Sequence, residues 1–224
     1  MDGILPVYKP AGITSYDVIR VVKRLLPKGH KIGHAGTLDP FAQGILILLL
    51  GKATKKFDEI RGWQKTYLAV ARLGCKSDTL DIEGSIEQEI PKIEKELTRE
   101  EVQMEANKFV GETLQAVPLF SAAKYKGQPL YKYARRGEKT PSKSKMVRIY
   151  SIEILEAVSK RIEMRVVCAS GTYIRQLSYD ILKGLELESC LEKLVRTAVG
   201  EITLTDVVHM DELENLETIS SKLK

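Results

Sequence analysis

The sequence predicts an α+β fold built on a mixed, largely antiparallel sheet with flanking helices, and three observations carry that expectation. Strand-like and helix-like segments follow one another in irregular order rather than as a repeating βα unit; residues 161–166 alternate charged and apolar side chains; and several stretches space apolar residues as helices do. Near the N-terminus, Val18, Val21, Val22 and Leu25 stand at i, i+3, i+4 and i+7, which predicts an amphipathic helix capped by Ser15 and ended before Pro27. Residues 45–50 are an unbroken run of Ile and Leu stopped by Gly51, and a run so short fits a buried central strand. Residues 67–73 read as another strand. Thr98-Arg99-Glu100-Glu101 is a capping box that opens a surface helix reaching about Val110. Residues 146–155 are expected to pair with the strand at 161–166, where Ile162, Met164 and Val166 share one face. Ser170-Gly171-Thr172 supplies a cap and turn; Ile174, Leu177 and Ile181 then continue as a helix with Tyr173 and Arg175 on its first turn. A last helix is expected from Asp211.

With 224 residues, 43% of them apolar, the chain has enough material for a packed core and is not a disordered tail. Its longest apolar run is six residues, whereas a bilayer span needs roughly 20. No basic segment followed by an apolar stretch and cleavage site opens the sequence, so a cytoplasmic protein without membrane contact is expected. Cys75, Cys168 and Cys190 are odd in number, far apart and free of any C-x-x-C pair, which indicates neither a disulfide framework nor a zinc module. His30, His34 and His209 show no metal-ligand spacing, so no metal site is expected.

The net charge of +5 is the sum of two opposed regions. Residues 81–105 hold nine acids and three bases, a balance of −6. Residues 122–148 hold nine bases against Glu138 alone, a balance of +8, interleaved with Tyr125, Tyr131 and Tyr133. Cations that release counterions and flat rings for stacking are the two components of a nucleic-acid surface; a solvated lysine-rich face is the plainer alternative.

The segment Lys31-Ile32-Gly33-His34-Ala35-Gly36-Thr37-Leu38-Asp39-Pro40 precedes the buried strand, and its glycines and proline specify a loop path rather than a regular element. Pro40 restricts Asp39 to extended backbone. Asp39 then either caps a short helix starting at Pro40 or serves as a nucleophile or general base, with His34 and Lys31 as nearby cations. A phosphate loop at Gly44 to Gly51-Lys52 is rejected, because six apolar residues separate the glycines. Arg175 at a helix start opposes the dipole, so an anion, either Asp39 or an RNA phosphate, is expected to compensate it.

Taken together, ordered blocks of the chain resemble the TruB family of pseudouridine synthases. They are Lys9-Pro10-x-Gly12-x-Thr14-Ser15, Gly33-His34-x-Gly36-Thr37-Leu38-Asp39-Pro40-x-Ala42-x-Gly44, Gly51-Lys52-Ala53-Thr54-Lys55, Lys65-x-Tyr67 and Asp78-Thr79-x-Asp81-x-Glu83-Gly84. Ser121-Ala122-x-Lys124, Tyr131-x-x-Ala134-Arg135-x-Gly137, Ser170-Gly171-Thr172-Tyr173-Ile174-Arg175 and Leu194-Val195-Arg196-Thr197 complete the series. The resemblance implies a pseudouridine synthase catalytic fold that isomerises the T-loop uridine at position 55 of tRNA, with no cofactor. It implies Asp39 as the catalytic carboxylate, Tyr67 stacked on the uracil, Arg175 paired with Asp39, and Tyr173 and Leu194 lining the pocket. His34 would fill the space left by a flipped base, and the basic region, with Lys124 and Arg135, would grip the T-arm. The matched blocks end near Gly200, so a single catalytic domain over residues 1–224 is expected, with the family's C-terminal PUA-like RNA-binding domain absent or vestigial. A stand-alone bacterial monomer that needs no protein partner follows from the same comparison; the rival is a non-catalytic tRNA-folding protein on the same scaffold.

Overall fold

In the computed structural model, which describes residues 1–89, 97–158 and 160–224, the expected α+β fold with a mixed, largely antiparallel sheet is found. Part of the acidic stretch at 81–105 lies outside the described residues. In chain order, the first elements are β1 (Gly3–Lys9), α1 (Ser15–Leu25), β2 (Ile32–His34), β3 (Gln43–Leu50), a 3-10 turn (Gly51–Lys56), α2 (Phe57–Gly62) and β4 (Lys65–Leu73). They are followed by β5 (Cys75–Ser77), β6 (Ile86–Glu89), α3 (Arg99–Asn107), β7 (Gly111–Ala116), β8 (Lys124–Tyr125), β9 (Gln128–Pro129), α4 (Leu130–Arg135), β10 (Ser144–Val158) and β11 (Arg161–Cys168). The chain closes with α5 (Ile174–Gly184), β12 (Ser189–Val199), β13 (Ile202–Thr203), β14 (Val208–His209) and α6 (Leu216–Ser221). Two compact units result: Met1–Leu68 with Lys193–Lys224, and Ala69–Glu192.

In the first unit, β3 lies between β1, its antiparallel neighbour, and β12, its parallel one. Both faces of β3 are buried. Leu46, Leu48 and Leu50 join Leu5 and Val7 of β1 and Val18, Ile19 and Val22 of α1, while Ile45, Ile47 and Leu49 join Ala35, Ile60 and Val199. A strand covered on both sides has no need of polar alternation, which is why the run is wholly apolar. α1 begins one residue earlier than the spacing suggests: its cap is Thr14, whose hydroxyl accepts from the Asp17 amide while the Asp17 carboxylate accepts from the Thr14 amide. Ser15, expected as the cap, is buried and bonded elsewhere.

In the second unit, β10 pairs with β7 through residues 144–149 and with β11 through residues 149–158. A register shift between Ile149 and Ser151 moves the buried positions of β10 from Val147 and Ile149 to Ile152 and Ile154, which one alternating pattern does not describe. On β11, Ile162, Met164 and Val166 are buried as expected. α3 carries the expected capping box at Thr98 and Glu101 and ends at Asn107, earlier than Val110. Gln103 and Arg99 fasten it to β10 by donating to the carbonyls of Ile152 and Ile154.

Two further expectations are corrected. The helix expected from Asp211 is split into a 3-10 turn, Met210–Glu212, and α6, because Asn215 starts a new cap by accepting from the Thr218 amide. Cys75 and Cys190 form a disulfide across a separation of 115 residues, with Cα atoms 5.5 Å apart, where the spacing indicated none. Proximity set by β5 and β12 is invisible to a rule based on local spacing. Thiol titration of the unfolded chain is expected to find one free thiol, Cys168, before reduction and three after it; three thiols without reductant would refute the bridge.

Candidate active site

Asp39 lies in the loop between β2 and β3, and no helix begins at Pro40, so its reading as a helix cap is overturned. The start of the segment, expected as loop, is drawn into a short strand: Ile32, Gly33 and His34 pair with Leu50, Leu49 and Leu48. From there each turn of the loop is tied to a buried element. The Ala35 amide donates to Ile47 O at 2.9 Å. Ser15 Oγ accepts from the Leu38 amide at 2.9 Å and donates to Leu38 O at 3.0 Å, so one hydroxyl holds both ends of the residue before Asp39. The Ala42 amide donates to Asp39 O, and the Gly12 amide to Pro40 O. Asp39 itself is half-buried.

Two buried cations reinforce these ties. Lys9, wholly excluded from solvent, donates from Nζ to the carbonyls of Pro10, Ile13 and Pro40 at 2.8, 2.7 and 3.1 Å. Arg196, also buried, donates from Nε to Ile45 O at 2.6 Å and from Nη2 to Gly36 O at 3.0 Å. An ionised group out of water is tolerated only with such partners. Arg196 can stand there because β12 approaches β3 closely at Gly44, which has φ +106° and faces Arg196 in register. A Cβ at position 44 would meet the Arg196 backbone nitrogen at 2.7 Å.

The sequence offers His34 and Lys31 as cations near Asp39; support of the loop backbone comes from Lys9 and Arg196, to which it gives no role. Burial, and then the Arg196 guanidinium, push the His34 imidazole below the ordinary histidine range, so it is neutral at pH 7. Its Nδ1 is buried with no hydrogen-bond partner among the described residues. Tyr67 on β4 and Leu194 on β12 are both buried.

Within the second unit, Arg175 sits on the first turn of α5, whose cap position is Tyr173 rather than Ser170 or Thr172. Its anion there is Asp81, with Arg175 Nη1 3.2 Å from Oδ2 and both side chains about 95% buried. Arg175 also donates to the carbonyls of Thr79 and Phe120, and Asp81 accepts from the Thr79 hydroxyl at 2.6 Å and the Glu83 amide at 3.0 Å. The sequence places Asp81 in the block Asp78-Thr79-x-Asp81-x-Glu83-Gly84 and assigns it no role. Tyr173 is fixed from two sides: the buried Gln115 amide donates to its carbonyl and accepts from its N–H, and Lys145 Nζ lies 4.1 Å from its ring centroid.

The basic region lies wholly in this unit. Of its nine cations, all but Lys145 are exposed, Lys124 and Arg135 among them. The tyrosines foreseen as stacking faces are themselves covered by cations: Lys126 and Lys143 over Tyr125, Arg135 over Tyr131, and Arg136 over Tyr133, at 5.0 to 5.5 Å.

Residues 23–174 match the N-terminal domain of TruB family pseudouridylate synthase. The tRNA pseudouridine synthase B of Clostridium tetani is 39% identical over 221 residues, 97% of this chain and 75% of that protein. Its counterpart in Dehalococcoides mccartyi strain BAV1 is 39% identical over 214 residues, 96% of this chain and 70% of that protein. A solved chain from a Cbf5-Nop10-Gar1 complex has a TM-score of 0.69 at 26% identity, covering 94% of this chain and 53% of that one. A chain from an H/ACA RNP bound to a substrate RNA has the same fold, with a TM-score of 0.67 at 23% identity, and the present chain again spans about half its length, 51%. The fold is thus that of the pseudouridine synthases. The chain belongs to the TruB family of pseudouridylate synthases.

Ser15→Ala is expected to lower stability by about 1–3 kcal/mol, because it strands the buried Leu38 amide and carbonyl; urea denaturation measures this, and a change below 0.3 kcal/mol would show that the clamp is not used. With the folded pKa of His34 below the ordinary 6.5, the unfolded chain takes up the proton first as pH falls. The stability that neutral His34 contributes is full above pH 6.5 and declines as pH drops toward the folded value. NMR titration of the imidazole should place its midpoint below 6.5, and a midpoint at or above that value would contradict the burial.

Proposed function

We propose that the chain converts uridine to pseudouridine in tRNA, at the T-loop uridine in position 55, with Asp39 as the catalytic carboxylate. The observation that carries this reading is the fixed placement of Asp39: the residues before and after it are tied to Ser15 and to the buried cation Lys9, and Arg196 holds the same loop at Gly36. The family membership supplies the reaction class.

Breaking the N1–C1′ bond, turning the uracil and rejoining it through C5 involves no net oxidation and no group donor. A single carboxylate is enough to start it, by attack on sugar or base or by removal of the ribose 2′ proton. The base must leave the loop stack, at a cost of a few kcal/mol that protein contacts offset. In this reading Tyr67 stacks on the uracil, Leu194 and Tyr173 close around it, and neutral His34 fills the vacated space. Arg175 is assigned as partner of Asp39 by the family pattern, in addition to its pairing with Asp81. The exposed cations of residues 122–148, including Lys124 and Arg135, bind the T-arm backbone. No added cofactor and no second protein enter this scheme, and a monomer suffices for it.

The test uses T-arm transcripts carrying tritium at uracil C5, without cofactor or metal. Wild type is expected to release the label, and Asp39→Ala to release it at least about a thousandfold more slowly while still binding the transcript. Release by Asp39→Ala at the wild-type rate, or binding without release by wild type, would overturn the reading.

A further inference from the structure

The first unit carries a second concentration of positive charge, apart in sequence from residues 122–148. Residues 23–31 and 52–56 together hold seven Lys and Arg and no Asp or Glu. These segments meet: the Gly51 amide, at the start of the 3-10 turn, donates to Lys31 O at 2.8 Å. Where they meet is a pocket of about 440 Å³ lined by Lys23, Gly29, His30, Lys31, Ile32 and Thr54. The size is within the range of ligand sites, roughly 300–1,000 Å³, but one apolar side chain is too little for a hydrophobic ligand.

We infer that this pocket binds a phosphate group, with Lys23 and Lys31 as its donors. Among the described residues no carboxylate lines it. The nearby acid, Asp2, is outside the lining: its carboxylate accepts from the Lys52 amide at 2.8 Å and lies 3.8 Å from Lys52 Nζ. Lys23 and Lys31 are exposed on the rim. His30 is placed by a turn in which Gly29 takes φ +83° and the His30 amide donates back to Pro27 O. Its ring forms part of the wall, while its Nε2 is itself buried with no hydrogen-bond partner among the described residues. Thr54, whose hydroxyl donates to Gly51 O, closes the wall. Two ammonium groups in a lining without a carboxylate suit a phosphomonoester or a phosphodiester, so the source is either a tRNA backbone phosphate or a small phosphate-bearing molecule. The tRNA source rests on the proposed function; the pocket does not.

The test uses the full chain and the double variant Lys23→Ala, Lys31→Ala, two exposed side chains outside the proposed catalytic set. Inorganic phosphate is titrated while the His30 ring and Lys31 amide are followed by NMR, with sodium chloride of equal ionic strength as control. tRNA binding is measured over a series of salt concentrations. Saturable shifts seen with phosphate alone and lost in the variant support the pocket. A tRNA affinity lower by about tenfold or more, a salt slope shallower by about 2, and an unchanged rate of tritium release at saturating tRNA assign it to the RNA backbone. Phosphate-specific shifts with unchanged tRNA affinity support the pocket and assign it to a small phosphate. Shifts that sodium chloride reproduces, or no shifts at all, overturn it whatever the tRNA affinity does. If wild type binds tRNA without releasing tritium, the activity reading fails while both binding measurements still decide the pocket.

Discussion

Burial of Arg196 among backbone carbonyls is the constraint on which the candidate site depends. A guanidinium that has left water must be given acceptors, and here they are Ile45 O, from the core strand, and Gly36 O, from the loop that leads to Asp39. The strand, the cation and the loop therefore require one another: removing the cation leaves two carbonyls poorly satisfied, and moving the loop leaves a buried charge short of an acceptor. Carbonyl oxygens carry only partial charge, so they stabilise the guanidinium without cancelling its field. The displacement of the His34 equilibrium toward the neutral form, in part by Arg196, is that residual field acting on a titratable neighbour. Lys9 fastens the far side of the loop by the same means, at Pro40 O.

Behind the loop stands a problem of register. A strand that alternates polar and apolar residues resists slipping, because a shift by one residue would turn its apolar set to solvent. β3 has no such protection, since residues 45–50 are apolar on both faces. Gly44 provides it. Only a residue without Cβ fits opposite the Arg196 backbone, and only glycine adopts φ +106° without strain, so a β3 shifted by one would place Gln43 or Ile45 opposite Arg196. The position that fixes the strand also admits the cation that fixes the loop.

Most of the regular structure was legible because the forces that set it are local. The Val and Leu spacing of α1, the leucine run of β3, the alternation of β11 and the capping box of α3 each state their own burial pattern. What failed depended on partners distant in sequence. Thr14 and Ser15 are equivalent as caps by chemistry, and only the position of Leu38, 23 residues away, decides that Ser15 turns inward. The same holds for the pairing of Cys75 with Cys190. The ion pair of Asp81 with Arg175 likewise joins residues distant in sequence, and no local signal points to it. Lys9 and Arg196 were visible only as members of motifs, since a charged residue ending or interrupting an apolar strand reads equally as an edge. For Asp39, residue chemistry left cap and catalyst open; the resemblance chose between them, and the absence of a helix at Pro40 removes the first.

The basic region shows why composition alone gives a polyanion partner but not the manner of contact. Lysines interleaved with tyrosines suggested charge for phosphates and rings for bases. With Lys126 and Lys143 both over Tyr125, and Arg135 and Arg136 over Tyr131 and Tyr133, the rings are engaged by the cations beside them. A long cationic side chain held against a ring loses part of its rotamer freedom before any ligand arrives, so less entropy remains to be lost on meeting a phosphate. Such a surface is prepared for a backbone of defined path rather than for unstacked bases. That suits a folded RNA arm, whose phosphates are outside and whose bases are stacked within, and under the proposed function base recognition is a separate task for the residues about Asp39.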